Sequence, residues 1–525
     1  MKSSYNPLWK EHEKDIILHD DKMNILESCV DRHSKKTPDK LALSFENEQG
    51  KIITYTYKQL EEEINKFANM LNELQIKKDS RIFLFLPKIP EMYIATLGTI
   101  KQGSIALPLF EAFQEEGLML RLERGEANVL ITNKELFKRI PKDINKKIPT
   151  LKNILVVDED EYKNKIKKQS SEFKAVLKDK LDTAVMIFTS STAGTPVAGV
   201  EIPSQALIQQ HYTAKLVLDL KENDNYWCTA HPGWVTGTIY GIIAPLSIGC
   251  SIYVLESHFD SKKWIEFMRK NKISVIYTAP TVFRMFKSVI KSSDLKLVRN
   301  VCSVGEALNK SVYDFYKKLG VDINDTFWQT ETGAMVIATW PGLKKKPGTL
   351  GKAIPGITAG IKDDSISLKP DFPSLMTGIY KHEKMYKDYF KAGWFRTNDG
   401  ATLDKDGYFF FIGRKDDIIK TSGERVSPIE IENILQKNKS VKEAAVIGIS
   451  DEMKGAILKA FIILNEKTEP TEKLKEELSM FVKENYAGHS YPKIIEFVES
   501  LPKTNSGKII RMKLREIEES KYKNK

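Results

Sequence analysis

The stretch FTSSTAGTPVAGV, residues 188–200, follows an apolar run and places the hydroxyl side chains of Ser190, Ser191, Thr192 and Thr195 around two glycines. It contains no lysine and matches neither G-x-x-x-x-G-K-[ST] nor G-x-G-x-x-G, the loops that hold phosphates at the start of a helix. Residues 199–202 after it predict a strand instead of a helix. The sequence therefore disfavours nucleotide folds of the Walker and dinucleotide types. It leaves open a polar turn between two strands or a phosphate loop of another kind.

Short runs rich in β-branched and aromatic residues flank this stretch on both sides. They predict strands at 81–87, 128–133, 153–158, 184–190, 251–255 and 275–280. Helical patterns alternate with these runs and predict helices from Tyr57 to Leu74, from Ala206 to Leu220 and from Ser261 to Asn271. This alternation predicts an α/β fold with largely parallel sheets, in which ligands bind at strand ends.

The pattern changes near residue 400. A hairpin is predicted to turn at Asp406-Gly407, and a polar run follows at 415–417. A helix opens at Ser427-Pro428, and a strand (444–449), a helix (471–484) and a second strand (493–498) complete a small module. We predict a large N-terminal α/β domain with several subdomains over residues 1–413, a hinge near 415–417 and a small mobile α+β domain over 416–525.

The composition indicates a globular protein with scattered charge. The chain has 525 residues, 81 basic against 70 acidic, and a formal charge of +11. Lysines lie among acidic residues along the whole chain, which argues against a nucleic-acid partner. The N-terminus has no apolar signal segment and no apolar run is long enough for a membrane span, so we expect a cytoplasmic protein with no membrane partner. Four distant cysteines and eight histidines show no metal-ligand spacing, so buried, reduced thiols are expected.

Seven motifs, in order along the chain, resemble those of the adenylate-forming enzymes, and within them the acetyl-coenzyme A synthetase branch. They are WCTAHPGWVTGTIYG (227–241), SVGEALN (303–309), DTFWQTETG (325–333), GWFRTND (393–399), GRKDD (413–417), SGERV (422–426) and LPKTNSGK (501–508). The resemblance implies that ATP and a carboxylate form an acyl-adenylate and pyrophosphate, after which the thiol of coenzyme A displaces AMP. Small-molecule substrates are therefore the expected partners.

The resemblance also implies the nucleotide site. Lys508, Thr330 and Glu331 are the expected catalytic residues. Lys508 stands where the family's adenylation lysine bridges the carboxylate and the α-phosphate, and Glu331 stands where a glutamate binds Mg²⁺. Asp399 and Arg414 are expected at the ribose and Arg425 at the α-phosphate. The remaining expected nucleotide contacts are Thr189, Ser190, Ser191, Thr192, Gly194, Gly305, Glu306, Ala307, Asp325, Thr326, Phe327, Trp328, Gln329 and Thr330.

The acyl pocket and the coenzyme A site follow from the same resemblance. Trp328 is expected to close the acyl tunnel, with Val235, Thr236 and Val304 as its remaining wall, which implies a preference for acetate. One methylene in an apolar pocket discriminates by only about 1–3 kcal/mol, so some use of propionate is expected.

Residues of the small domain are expected to act in turn. The resemblance places Asp416 at the hinge about which that domain rotates between the two half-reactions. Ser422 and Gly423 would lie at the coenzyme A site, where the absence of a side chain at Gly423 leaves room for the pantetheine arm. A lysine acetyltransferase and a deacetylase acting on Lys508 are possible partners, because acetylation removes its charge. The chain extends only briefly past Lys508, so loading of an acyl carrier protein has no support in the sequence.

The chain departs from the family pattern at several positions. The family's loop T-S-G-[ST]-T-G-x-P-K-G-V has Ser191 and Ala193 at two of its positions here and no lysine, His231 stands where an aspartate is common, and Asn398 replaces a glycine. A lost charge-assisted contact costs about 1.5–3 kcal/mol. Three interpretations remain: an acetate enzyme, a propionate or medium-chain enzyme, and a diverged relative that binds nucleotide or acyl-coenzyme A with weak turnover.

Overall fold

The computed structural model describes residues 6–189, 198–306, 308, 310–414, 417, 419–421, 424–451, 455–466, 468–485, 491–503 and 509–523. Within them the helices are α1 (Pro7–Glu13), α2 (Arg32–Lys36), α3 (Tyr57–Glu73), α4 (Pro90–Lys101), α5 (Glu115–Arg124), α6 (Lys134–Phe137), α7 (Ile144–Lys147), α8 (Asp160–Lys167), α9 (Ala206–Leu216), α10 (Val235–Thr238), α11 (Ala244–Ile248), α12 (Ser261–Lys270), α13 (Pro280–Phe286), α14 (Lys310–Lys318), α15 (Glu383–Asp388), α16 (Pro428–Leu435), α17 (Glu472–Asn485) and α18 (Arg511–Lys523). Every one of them is too short or too polar to span a bilayer.

The strands are β1 (Lys22–Met23), β2 (Leu41–Glu46), β3 (Ile52–Thr56), β4 (Arg81–Phe85), β5 (Ile105–Leu109), β6 (Val129–Thr132), β7 (Asn153–Val156), β8 (Lys178–Asp179), β9 (Thr183–Phe188), β10 (Gly199–Pro203), β11 (Asn225–Cys228), β12 (Ser251–Leu255), β13 (Val275–Thr278), β14 (Asn300–Val304), β15 (Ile323–Phe327), β16 (Ile337–Ala338), β17 (Lys352–Ala353), β18 (Ala359–Lys362), β19 (Ser365–Leu368), β20 (Gly378–Ile379), β21 (Phe390–Lys391), β22 (Trp394–Leu403), β23 (Phe409–Arg414), β24 (Ile419–Thr421), β25 (Glu424–Val426), β26 (Val441–Asp451), β27 (Gly455–Leu464) and β28 (Ile494–Phe497).

The described residues form two compact units. The first contains the described residues within 1–308, 312–358 and 369–395, and the second contains those within 309–311, 359–368 and 396–525. The predicted hinge near 415–417 stays a prediction, because Lys415 and Asp416 lie outside the described residues.

Two large sheets build the first unit. One has the order β20-β10-β9-β5-β4-β6-β7 and the other the order β17-β16-β15-β14-β13-β11-β12-β2-β3. The inner pairs are parallel. Antiparallel pairs stand at the edges: β9-β10-β20 in the first sheet, and β15-β16-β17 and β2-β3 in the second. The inner strands are buried on both faces, which explains their continuous apolar sequences. The predicted α/β class with mainly parallel sheets is confirmed.

Local sequence signals place most of the predicted elements correctly. Strand β12 has the predicted bounds, and α3 begins behind a capping box in which Thr56 and Gln59 each accept the other's backbone N–H, at 3.2 and 3.0 Å. Helix α9 ends at Leu216, four residues before the predicted end, and Asp219 has φ +51° just beyond it. All four cysteines are buried free thiols, as expected.

A three-stranded sheet, β26-β27-β28, forms the centre of the second unit's C-terminal part. Its two faces bury different partners, because alternate residues of a strand point to opposite sides. Val446 packs with Ile431 of α16 and Leu478 of α17, whereas Ile447 packs with Leu514 of α18. The sequence analysis predicted β26, β28 and α17 but missed β27.

A buried ion network fixes α18 to this module. Arg511 donates to both carboxylate oxygens of Glu432, at 2.8 and 2.7 Å, and lies 3.5 Å from Asp417, which Arg515 also contacts at 2.9 Å. Burial raises the pKa of Glu432, and the Arg511 cation opposes that effect. The Glu432 carboxylate also accepts the N–H of Val446 at 2.8 Å, so it joins three elements.

We predict that Arg511→Met destabilises the second unit by about 3–5 kcal/mol, because it leaves the buried Glu432 carboxylate without its cation. Differential scanning calorimetry of the whole chain measures the loss as a lower transition temperature for that unit. Adding Glu432→Gln to Arg511→Met should restore part of the lost stability, since a neutral amide still accepts the Val446 N–H. Lys521→Met, at a half-exposed ion pair, is the control. A double variant as unstable as Arg511→Met alone would contradict the prediction.

Candidate active site

The stretch that opened the analysis connects two antiparallel strands. Phe188 at the end of β9 pairs with Gly199 at the start of β10, and the N–H of Thr189 donates to the carbonyl of Ala198 at 3.2 Å. The predicted strand after the loop is therefore confirmed. Since the described chain continues after this loop into strand β10, the segment differs from the strand-to-helix phosphate loops that the sequence disfavoured. Ser190, Ser191, Thr192 and Gly194 lie outside the described residues.

A short strand joins this hairpin to the loop that carries Glu331. Strand β20 pairs with β10, and the N–H of Tyr380 donates to the carbonyl of Gly199 at 2.8 Å. Two residues before β20, the N–H of Met376 donates to the carbonyl of Glu331 at 2.9 Å. Backbone hydrogen bonds thus hold the base of the hairpin and the Glu331 turn in one frame.

The turn from Thr330 to Gly333 is tightly constrained. Gly333 has φ +64°, and a Cβ there would lie 2.1 Å from the carbonyl oxygen of Ser374, so glycine is required. Gln210 donates to the Gly333 carbonyl at 3.0 Å, and the Ser374 hydroxyl donates to the Thr332 carbonyl at 2.6 Å. The sequence analysis missed both partners. A signal was available for Gln210, because it is an amide in a helix that is buried on nearly all sides and such an amide needs a partner.

Glu331 presents a carboxylate suited to a hard cation. Its side chain is half-buried, and the Tyr389 hydroxyl donates to Oε1 at 2.9 Å, which fixes its orientation. Within the described part of the chain, no group of three or more His, Cys, Asp or Glu side chains is placed to hold a metal. Mg²⁺ commonly takes one or two protein carboxylates and completes its shell with phosphates and water, so the donor set fits that ion.

Trp328 lies against two buried tyrosines. Its Nε1 donates to the hydroxyl of Tyr277 at 3.1 Å, and its ring meets that of Tyr240 edge to face with centroids 5.0 Å apart. Val235 and Thr236 begin the helical segment that leads to Tyr240, and Val304 pairs in register with Thr326 on the strand that leads to Trp328. The structure therefore places Val304 and Trp328 at the same end of β14 and β15, whereas Val235 and Thr236 stay predicted pocket residues. The two tyrosines were missed as pocket residues, although Tyr240 stands in one of the seven motifs and Tyr277 in the predicted strand at 275–280.

Residues expected near the adenine are held by protein contacts. Gly305 turns the chain after β14 with φ +92°, and the Glu306 carboxylate accepts from Thr281 at 2.6 Å and from Arg284 at 2.8 Å. Asp325 is buried in β15, and its Oδ2 accepts the N–H of Leu308 at 3.3 Å. Burial raises the pKa of Asp325 to about 7, although nearby backbone N–H groups oppose that effect. Phe327 is buried and Gln329 half-buried in the same stretch, and Ala307 lies outside the described residues.

The second unit carries the predicted ribose pair on adjacent strands. Asp399 of β22 is buried and faces Arg414 of β23 in the register of the hairpin. Asn398 beside it has φ +58°, a left-handed conformation in which glycine is unstrained and asparagine is the best tolerated substitute. Asn398, which stands where the family pattern has a glycine, is therefore compatible with the left-handed backbone beside Asp399.

Several predicted residues of this unit cannot be placed. Arg414 lies in β23 and Arg425 in β25, but their side chains are not among those described. Asp416, Ser422, Gly423 and Lys508 lie outside the described residues. Two described ion pairs connect the chain beside them, since Asp417 follows Asp416 and its partners Arg511 and Arg515 follow Lys508.

His231 accepts a hydrogen bond within a turn, as an aspartate side chain can also do. Its Nδ1 accepts the N–H of Gly233 at 2.8 Å, as a carboxylate two residues earlier does in an Asx turn. A Cβ at Gly233 would lie 2.3 Å from the backbone nitrogen of Phe110, so the turn packs closely. Burial, with the Lys88 cation, lowers the pKa of His231 to about 3, which keeps Nδ1 available as an acceptor.

We predict that acid destabilises the first unit through its buried histidines. Burial lowers the pKa of His33 to about 4 and that of His211 to about 3, as it does for His231. The unfolded chain, with histidine pKa about 6.5, binds more protons below that pH, so the stabilisation is complete above about 6.5 and is lost as the pH falls towards 4.

His231→Asn should reduce this dependence, because Asn accepts the same N–H but does not titrate. The slope of unfolding free energy against pH should fall by up to about 1.4 kcal/mol per pH unit between pH 6 and 4. Urea unfolding at several pH values measures the slope, with His258→Asn, at an exposed position, as the control. An unchanged slope in His231→Asn would contradict the prediction.

Comparison with known proteins agrees with the geometry of the site. Residues 30–371 match the family model of AMP-binding enzymes, and residues 430–508 match that of the AMP-binding enzyme C-terminal domain. The chain is 41% identical to an acetyl-coenzyme A synthetase of Bacillus subtilis, over 94% of this chain and 90% of that protein. It is 34% identical to an acetyl-coenzyme A synthetase of Methanothrix thermoacetophila, over 93% and 82%.

Solved structures give the same result. A crystal structure of a Brucella canis acyl-CoA synthetase, 29% identical, matches with a TM-score of 0.73 over 98% of this chain and 97% of that one. The anthranilate CoA ligase AuaEII in complex with anthranoyl-AMP, 26% identical, matches with a TM-score of 0.87 over 95% and 98%. The chain therefore belongs to the AMP-binding enzyme family, as an adenylate-forming acyl-coenzyme A synthetase that resembles the acetyl-coenzyme A synthetases.

Proposed function

We propose that this enzyme ligates acetate to coenzyme A at the expense of ATP. In the first step a carboxylate oxygen of acetate attacks the α-phosphorus, and the bond from that phosphorus to the bridging oxygen of pyrophosphate breaks. In the second step the thiolate of coenzyme A attacks the acyl carbon, and AMP leaves with the electron pair of the broken C–O bond. The observation that carries the proposal is the indole of Trp328, which is held by Tyr240 and Tyr277 at the position where the acyl tunnel would end.

A fixed indole favours a short acid for a steric reason. The Tyr277 hydroxyl and the Tyr240 ring hold Trp328, so a longer chain would have to displace a packed aromatic group. Val304, which is buried and pairs in register with Thr326, and the half-buried Val235 would supply the apolar wall of the proposed pocket. The names of the acetyl-coenzyme A synthetase relatives support the same acid.

The proposed adenylation centre draws its charge from groups outside the hairpin. Lys508 would bridge the carboxylate and the α-phosphate, and Arg425 would donate to that phosphate. Mg²⁺ at Glu331, when bound, would neutralise charge on the phosphates of ATP. The Tyr389 hydroxyl orients the Glu331 carboxylate, and Asp399 with Arg414 would accept and donate hydrogen bonds at the ribose.

The second half-reaction requires other groups. Rotation about Asp416 would withdraw Lys508 and bring Ser422 and Gly423 to the pantetheine arm. Acetylation of Lys508 by a lysine acetyltransferase, reversed by a deacetylase, would remove the charge that the first step needs. We place the protein in the cytoplasm, where ATP and coenzyme A are substrates of such ligases.

The proposed preference for acetate is tested with a panel of linear acids from acetate to octanoate. Pyrophosphate release is measured in the presence and absence of coenzyme A. We expect acetate to give the highest kcat/KM and propionate a lower one, by about ten- to a hundredfold. Trp328→Gly should move the optimum to longer acids, because it removes the ring that ends the pocket. Trp394→Gly, at a ring that packs 4.5 Å from Lys369 Nζ, should keep the wild-type profile.

Two results of this panel would contradict the proposal. A wild-type preference for hexanoate would favour a medium-chain enzyme. Absence of pyrophosphate release with every acid would favour a diverged relative that binds nucleotide without turnover.

A second prediction separates the half-reactions. Lys508→Ala should lower acetyl-adenylate formation by several orders of magnitude, because it removes the cation from the centre where negative charge accumulates. The variant should still convert supplied acetyl-adenylate and coenzyme A to acetyl-coenzyme A at a rate near that of the wild type. Lys503→Ala, which breaks an ion pair with Glu443 in the same segment, is the control. Equal loss of both steps in Lys508→Ala would contradict the assignment.

A further inference from the structure

The indole of Trp328 ends a directed series of hydrogen bonds. Trp328 Nε1 lies 3.1 Å from the Tyr277 hydroxyl, which lies 2.8 Å from Oγ1 of Thr326, and that oxygen lies 2.7 Å from the carbonyl oxygen of Ser303. A carbonyl only accepts, so the Thr326 hydroxyl must donate to Ser303. The Tyr277 hydroxyl then donates to Thr326 and accepts from the indole, so each donor of the series has one partner.

The geometry leaves Tyr277 little freedom. Its side chain is fully buried, and Cα register pairs it with Cys302 in the middle of a parallel sheet. Burial raises the pKa of its phenol well above the usual value, so the hydroxyl stays protonated and keeps its donor role. The ring of Tyr240 packs edge to face on that of Tyr277 with centroids 5.7 Å apart.

Tyr240 fixes the other side of the indole. Its hydroxyl accepts the N–H of Met335 at 2.9 Å and lies 2.7 Å from Oγ1 of Thr213, which itself donates to the carbonyl of Gln209 at 2.8 Å. The Tyr240 hydroxyl must therefore donate to Thr213, and both of its roles are satisfied by the protein. A ring held in this way forms a rigid wall against Trp328.

We propose that Tyr277 is a positioning residue that sets the acyl-chain limit by holding the indole of Trp328 across the pocket. The inference rests on the proposed function and deepens it, because it assigns the chain-length limit to a hydroxyl that does not touch the substrate. Selectivity would then depend on the orientation of the tryptophan as well as on its presence.

Removal of the Tyr277 hydroxyl separates orientation from volume. Tyr277→Phe keeps the ring and its packing, and the Thr326 hydroxyl keeps its bond to Ser303. The indole N–H of Trp328 loses its acceptor. Because the Trp328 side chain is only half-buried, the indole can tilt to reach water. We expect the ratio of kcat/KM for propionate to that for acetate to rise about three- to tenfold.

The experiment combines kinetics with a direct measurement on the indole. Solvent exchange of the Trp328 indole proton is followed by NMR in protein with ¹⁵N-labelled tryptophan, and the signal is identified by its loss in Trp328→Phe. Exchange should be faster in Tyr277→Phe than in the wild type. In a Trp328→Gly background, Tyr277→Phe should leave the propionate-to-acetate ratio unchanged, since the group that it positions is gone.

Tyr57→Phe is the matched control, because Tyr57 is also fully buried and its hydroxyl donates to the Cys250 carbonyl at 2.9 Å. It should change neither the ratio nor the indole exchange. An unchanged ratio or unchanged exchange in Tyr277→Phe overturns the inference, and so does an equal change in Tyr57→Phe. A wild-type enzyme that prefers hexanoate overturns the proposed function instead, and faster indole exchange confined to Tyr277→Phe then still supports the positioning role.

Discussion

The two-residue strand β20 is the constraint on which the proposed phosphate site depends. Its backbone pairs with β10 at the base of the hairpin, and the adjoining N–H of Met376 holds the carbonyl of Glu331 at 2.9 Å. Backbone hydrogen bonds are indifferent to the side chains that the strands carry. The frame can therefore persist while the loop of the hairpin changes its sequence, which is the pattern that this chain presents.

Two departures from the family pattern keep the geometry by different chemistry. Asn398 occupies a left-handed conformation at φ +58°, which asparagine tolerates better than most residues. His231 replaces a carboxylate as the acceptor for the N–H of Gly233, and burial keeps its ring neutral so that it can accept. At both positions the requirement is local and backbone-directed, so a different side chain satisfies it.

The sequence predicted the elements whose signals are local. The parallel strands appear as continuous apolar runs, and the capping box of Thr56 and Gln59 marks the start of α3. The partners of the site could not be found in this way. Gln210, Ser374 and Tyr389 reach the Glu331 turn from positions 42 to 123 residues away in sequence, and no periodicity encodes such contacts. Tyr277 is similar, because in sequence it is one more aromatic residue of a buried strand.

For Trp328, the resemblance predicts a role and the structure shows how the ring is held. A motif assigns the residue to the end of the acyl tunnel but says nothing of how its ring is held. The hydrogen bonds to Tyr277 and onward to Thr326 supply that information, because each hydroxyl can donate only once.

The free-energy cost of lacking a lysine in the hairpin can also be estimated from general magnitudes. A charge-assisted contact is worth about 1.5–3 kcal/mol, whereas enzymes of ordinary power lower their barriers by about 8 kcal/mol or more. Hydroxyl groups and backbone N–H groups still offer donors to a phosphate, although without net charge. The groups assigned to the α-phosphate, Lys508 and Arg425, are retained in the sequence. An enzyme with such a hairpin would bind and orient pyrophosphate less strongly, yet keep the cations at the atom where the bond is made, and that combination predicts a slower ligase rather than an inactive one.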